Sequence, residues 1–176
     1  MSRTRFVAVF LGSFLLVVTL SALVDVPRYY GATLRGLAAV TQPALTGWRF
    51  EERPGVQPPL WLRSGERRIP FYFSLEKWAL GLYPLLSLIA ATPRLSWKRR
   101  LACVAGGIGG LLMLDLLVVL LYPFLIKEGA LPQIIGQFLG LVTFVGAPVI
   151  LWFALTFREM SGVWRMGLTS GGGGRR

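Results

Sequence analysis

Apolar positions along this chain gather into four long runs: Phe6 to Val24, about Trp78 to Pro93, Leu101 to Ile126, and Gln133 to Phe157. A helix rising 1.5 Å per residue needs roughly 20 mostly apolar residues to cross a hydrocarbon core about 30 Å thick. The second run is short and borrows Ser74 and Leu75 from upstream. The pattern predicts a membrane all-α fold, a bundle of four transmembrane helices. Pro84, Pro123 and Pro148 lie inside these runs and are expected to kink or end their helices.

Between the first two runs the period changes. From Arg28 to Gln42, Tyr30, Leu34, Leu37 and Val40 approximate helical spacing, with Arg28 and Arg35 on another face. This predicts an amphipathic helix, lying at the membrane surface or packed on a partner chain and ended by Pro43. Alternation then takes over in Trp48-Arg49-Phe50-Glu51 and in Leu60-Trp61-Leu62-Arg63. Ser64-Gly65-Glu66 supplies turn chemistry before Arg67 to Phe73. Two or three short strands are expected, too few to stand without support. The expected organisation is a cytoplasmic N-terminus and first helix over 1–24, and an extracytoplasmic α+β segment over 25–73. Helices two to four then fill 74–157, and a cytoplasmic flexible tail 158–176.

Composition agrees with lipid as the solvent: 54% of residues are hydrophobic and only 15% charged, against about 25% charged in soluble domains. The net charge of +11 sits beside the hydrophobic runs, where it orients the chain, so no nucleic-acid partner is expected. Arg3 and Arg5 precede the first run, and Arg94, Lys98, Arg99 and Arg100 crowd the turn between the second and third. Arg158, Arg165, Arg175 and Arg176 follow the fourth. Basic residues of short loops stay in the cytoplasm, so both termini and this turn are expected inside and 25–73 outside. The first run resembles a signal peptide in its basic start and the small residues Ser21-Ala22, but its length reads as a retained anchor.

Chemistry is sparse. The chain has no histidine, and Cys103 is its one cysteine. A Ser-His or Cys-His pair, an intrachain disulfide and imidazole ligation of haem or chlorophyll are therefore excluded within this polypeptide. No catalytic residue, metal site or cofactor is expected. Asp115 stands inside Leu-Leu-Met-Leu-Asp-Leu-Leu, where a carboxylate costs roughly 2.5–3.5 kcal/mol on insertion scales. It either handles protons, pairs with a partner chain, or is hydrogen-bonded within the bundle to Thr143, Tyr83 or Ser87. Gly106 with Gly110, and Gly136 with Gly140, form small-xxx-small pairs that let helices approach closely, internally or against a partner. Trp48, Trp61, Tyr72 and Trp78 suit the membrane interface, where an apolar ring and a polar tip both find partners.

The layout resembles the exosortase-associated small membrane proteins, in particular the type associated with exosortase H. The stretches that carry the resemblance are Tyr29-Tyr30 after the first run, Gly81-Leu82-Tyr83-Pro84-Leu85-Leu86 through Ala90-Ala91-Thr92-Pro93, the basic turn after it, and Ala147-Pro148-Val149-Ile150-Leu151-Trp152. The resemblance implies a bacterial inner-membrane companion of a membrane protease that processes C-terminal sorting signals. The catalytic groups would belong to that larger partner. The expectation is thus a non-enzymatic accessory subunit that binds and positions a larger integral membrane protein. The alternatives are a small transporter or proton-coupled channel subunit using Asp115, and an auxiliary subunit of a respiratory or photosynthetic complex.

Overall fold

The computed structural model of the chain describes residues 3–52, 60–71, 74–93, 95–125 and 142–157. Helix α1 (Arg3–Val24) and helix α2 (Val26–Thr46) are separated by Asp25 alone. That residue adopts the left-handed conformation, φ 56° and ψ 43°, which aspartate tolerates better than most side chains with a Cβ. Its carbonyl accepts the N–H groups of Arg28 and Tyr29 at 3.1 and 3.3 Å. Pro27, in the first turn of α2, has no N–H that needs a partner.

The helix predicted outside the first run exists, but its end and its buried face differ from expectation. Pro43 lies inside α2, which continues to Thr46 and closes at Gly47, whose φ of 74° lets its N–H reach the Pro43 carbonyl at 3.2 Å. Proline's fixed φ suits a helix, and near a terminus it forfeits one bond without stopping the chain. The buried stripe is Tyr30, Gly31, Leu34, Ala38 and Gln42, whereas Leu37 and Val40 are 41% and 75% exposed. Gln42, a polar residue, takes a core position that apolar spacing alone assigns elsewhere.

Strands β1 (Arg49–Glu52), β2 (Leu60–Ser64) and β3 (Arg67–Phe71) form an antiparallel sheet in the order β1-β2-β3. Ser64 pairs with Arg67 across a two-residue loop, and Gly65 at φ 59° supplies the positive dihedral that such a tight hairpin needs. Leu60, Leu62 and Phe71 are buried, and Phe71 sits edge-on between Phe50 at 5.7 Å and Tyr122 at 4.7 Å. The sheet thereby rests on the helices, as its small size requires.

A 3-10 helix (Leu75–Gly81) runs directly into α3 (Leu82–Ala91). Pro84 lacks the N–H that would meet the Leu80 carbonyl, so the α-ladder cannot continue backward through this point. Helix α4 covers Trp97–Leu125, and helical segment α5, Val142–Phe157, opens with a π-turn over Val142–Gly146. Among the described residues, α1 and α4 are long and apolar enough to cross a membrane, while α5 is shorter. The predicted second run is thus a 3-10 helix plus a ten-residue α-helix rather than one uniform span. The predicted start of the fourth run lies outside the described residues. The protein is mostly helical with one small sheet.

Candidate functional site

Helix α4 organises the molecule, and its two halves engage different neighbours by different means. In the first half the contact is steric. A Cβ on Gly107 would stand 2.9 Å from Leu85 of α3, and one on Gly110 would stand 2.9 Å from Leu151 of α5. At Gly106 the nearest neighbour is Leu155, at 3.4 Å. The small-xxx-small pair of Gly106 and Gly110 therefore lies against α5, within this chain. Gly136 and Gly140 lie outside the described residues.

The second half carries buried polar groups. Asp115 has no exposed surface, and its Oδ2 accepts the Tyr30 hydroxyl at 2.5 Å. This corrects the expected partners. Tyr83 is engaged by the Ser21 hydroxyl at 2.9 Å, joining α1 to α3, and Ser87 donates to the Tyr83 carbonyl one turn back. Tyr30 comes instead from the segment outside the four runs, 85 positions away. Burial pushes the Tyr30 phenol well above its ordinary value, and the Asp115 charge and hydrogen bond add to this. It remains a neutral donor across ordinary pH.

Two turns on, Pro123 has no N–H for the Val119 carbonyl, its normal partner in a helix. Helix α4 nevertheless continues past it to Leu125. Gln42 Nε2 reaches that carbonyl at 3.3 Å from a fully buried position. Pro123 thereby frees an acceptor that anchors α2. Finally, the Tyr122 hydroxyl donates to the Pro70 carbonyl at 3.0 Å, tying β3 to the same end of α4. Asp115, Val119 and Tyr122 lie on one face, four and three residues apart. Together they hold both α2 and the sheet. Tyr30 and Gln42 are three turns apart on α2 yet meet α4 within one turn, so α2 crosses α4 obliquely.

The opposite end of α4 is basic. Arg100 donates to the Thr92 carbonyl, just beyond α3, and Arg99 to the Leu155 carbonyl of α5, both at 3.2 Å. Cations at helix C-termini satisfy carbonyls left without N–H partners and oppose the helix dipole. Trp152 Nε1 donates to the Thr92 hydroxyl at 2.8 Å, completing this end. Cys103 is buried here, its thiol 3.7 Å from the Leu155 carbonyl.

The aromatic positions divide. Trp48 and Trp61 are half-buried, Tyr72 lies outside the described residues, and Trp78 is only 3% exposed within the core. Trp78 is therefore a packing residue, because the second run begins as a 3-10 helix wedged against α2. Trp97, which the sequence reasoning missed, is 70% exposed at the start of α4. Its signal was an aromatic ring immediately before Lys98, Arg99 and Arg100.

On the sheet surface turned away from Leu62 and Phe50, Arg49 pairs across the strands with Arg63, and Arg63 with Arg68. Glu51 lies 4.0 Å from Arg63 and 3.8 Å from Arg68. Three guanidinium groups thus share one cross-strand row, with Glu51 the neighbouring carboxylate among the described residues. Among the described residues no three His, Cys, Asp or Glu side chains gather in a way that could hold a metal ion. No family model, no curated protein and no solved structure matches this chain.

Proposed function

We propose that the protein is a non-enzymatic integral membrane accessory subunit that presents a rigid extracytoplasmic platform to a larger membrane protein. The observation that carries this reading is the row Arg49, Arg63 and Arg68. Like charges directly opposite in a sheet are destabilising, and Glu51 beside Arg63 and Arg68 offsets them only in part, so the row keeps positive charge beyond what the fold pairs. It suits an acidic surface on a partner. Guanidinium groups bind carboxylates bidentately, with a geometry that fixes orientation as well as affinity. The polar residues along α4 favour the same reading. Asp115, the candidate for proton transport, is closed off by Tyr30 and acts as a clasp for the platform.

In this reading four helical rods cross the bilayer. The 3-10 helix and α3 together extend about 29 Å, close to the hydrocarbon thickness. The end of α4 bearing Lys98, Arg99 and Arg100 faces the cytoplasm, in keeping with the bias of basic residues toward that side. The platform of α2 and the sheet then lies on the other face. The resemblance to exosortase-associated proteins makes a sorting protease of the bacterial inner membrane the first partner to try.

The test is affinity purification of the tagged chain at native expression in mild detergent. A stoichiometric membrane partner is expected. Changing Arg49, Arg63 and Arg68 together to Gln, which removes the charge without setting new carboxylates beside Glu51, should release it while the chain still unfolds cooperatively. A single partner-free species in gentle extraction overturns the proposal.

A further inference from the structure

A groove of about 470 Å³ runs along α2, lined by Arg28, Ala32, Arg35, Gly36, Ala39 and Glu76. It carries both charge signs. Arg28 and Arg35 lie two turns apart on one side of α2, about 10 Å along its axis. Small residues between them form the floor. Glu76 enters from the 3-10 helix, which approaches α2 closely at Gly31. A Cβ on that glycine would stand 3.0 Å from both the backbone nitrogen and the Cγ of Glu76, tighter than nine in ten real Cβ contacts. Gly31 thus lets Glu76 join the groove lining that Arg28 and Arg35 share. Arg35 also pairs with Glu52 at 2.7 Å, both side chains being largely exposed, and its remaining N–H groups stay available. Arg28 has no carboxylate partner among the described residues.

The surroundings of the groove point to lipid. On the neighbouring face of α2, Tyr29 and Val40, three turns apart, are 66% and 75% exposed and offer apolar surface to acyl chains. Helix α2 is fastened to α4 at Asp115 and Val119, roughly 23 and 28 Å along α4 from Arg100. With Arg100 at the inner boundary of a core about 30 Å thick, α2 lies at the outer boundary, where phosphates and amines begin.

We infer that this groove binds the zwitterionic headgroup of an aminophospholipid, with the phosphodiester against Arg28 and Arg35 and the ammonium against Glu76. The inference rests on the membrane reading above but not on the identity of the protein partner. Two cations separated from one anion match a headgroup that carries both signs. A glycerol headgroup carries the same phosphodiester for the arginines but offers Glu76 neutral hydroxyls in place of an ammonium, so the charge contact that gives selectivity is lost.

Native mass spectrometry of the full chain, released from neutral detergent, tests this. The probes are phosphatidylethanolamine, phosphatidylglycerol with the same acyl chains, and soluble glycerophosphoethanolamine. Wild type should retain the ethanolamine lipid about tenfold better than the glycerol lipid, a difference within reach of one charge contact. Glu76→Gln should abolish that preference, and Arg28→Ala should weaken retention of both lipids. Because both side chains are exposed, unchanged thermal unfolding of the variants serves as the folding control. Equal retention of the two lipids by wild type, an unchanged preference in Glu76→Gln, or equally tight binding of the soluble headgroup each overturns the inference. Partner capture, measured separately, fails or succeeds without regard to these results.

Discussion

The two halves of α4 are bound to their neighbours in contrasting ways. Around Gly106, Gly107 and Gly110 the helix lacks side chains, and leucines from α3 and α5 fill the space. Around Asp115, Val119 and Tyr122 it offers hydrogen-bonding groups, which α2 and β3 engage. In the proposed membrane reading the first half joins helices within lipid, where dispersion and close approach drive association because burial from water contributes little. The second half joins α4 to α2 and the sheet, the elements between α1 and the 3-10 helix. There a buried polar group has to find a partner, and each bond fixes position and register as well as adding stability. One helix therefore packs by shape at one end and by chemistry at the other.

The strongest way to break this contrast is to orphan Asp115. Tyr30→Phe removes the donor and leaves a buried carboxylate. The expected loss is about 3 kcal/mol, in the upper range for an unsatisfied buried group. The double variant Tyr30→Phe/Asp115→Leu removes both partners, and replacing both is close to neutral where replacing one is not. It should recover most of the lost stability. Reversible unfolding in mixed detergent micelles measures the cycle, and limited proteolysis within α2 reports whether the platform has detached. Additive losses in the double variant would mean that Tyr30 and Asp115 do not act as a pair.

The glycine half should answer to volume instead. Gly107→Val forces methyl groups into Leu85 and Ile89, with an expected loss of about 2 kcal/mol from overpacking. The contrasting control is Gly109→Ala. Its Cβ meets nothing within 4 Å, so the gain in helix propensity, roughly 0.5–1 kcal/mol, should appear as stabilisation. The two neighbouring glycines should thus shift unfolding in opposite directions. Equal shifts would show that close approach is not what Gly107 provides.

These two halves were unequally legible in the sequence. The small-residue spacing of Gly106 and Gly110 named a packing face directly, since close approach is a property of the residue itself. Its direction, toward Leu151 and Leu155 of α5, was left open between this chain and a partner. Asp115 was visible as a residue needing a reason, but its partner was not. Tyr30 lies 85 positions away, in a segment whose apolar spacing pointed equally to Leu37 and Val40. Gln42 was hidden for a related reason. Its core position makes sense only once Pro123 is known to free the Val119 carbonyl, and that bond spans 77 positions. Local pattern gave α1, the three strands and the Gly65 turn because each depends on near neighbours. The clasp depends on tertiary geometry, which periodicity does not carry.

A milder perturbation of the polar half is Tyr122→Phe, which leaves the aromatic contact with Phe71 in place and removes only the hydroxyl bond to the Pro70 carbonyl. The expected loss is about 1 kcal/mol, typical of a neutral hydrogen bond at a partly buried site. Hydrogen exchange should rise in β3 and β2 while α3 and α5 stay unchanged. Uniform loosening of all helices would mean that the sheet is not fastened separately.

The smallest effect is a pH dependence peculiar to the polar half. Burial, the Asp115 charge and its hydrogen bond hold the Tyr30 phenol above its ordinary value in the folded protein, while in the unfolded chain it titrates near about 10. The unfolded state therefore loses the proton first as pH rises. The stability that the neutral phenol contributes is intact below about pH 10 and declines above it, by at most about 1.4 kcal/mol per pH unit. Unfolding followed from pH 8 to 11 should show wild type weakening above pH 10 more steeply than Tyr30→Phe. Other groups that titrate in that interval are common to both chains and cancel in the difference. The Gly107→Val variant should keep the wild-type slope at its lower stability, because its defect lies in the half of α4 without the phenol. Parallel slopes for wild type and Tyr30→Phe would mean that the phenol is hydrated in the folded protein, and the clasp between α2 and α4 would then be open to water.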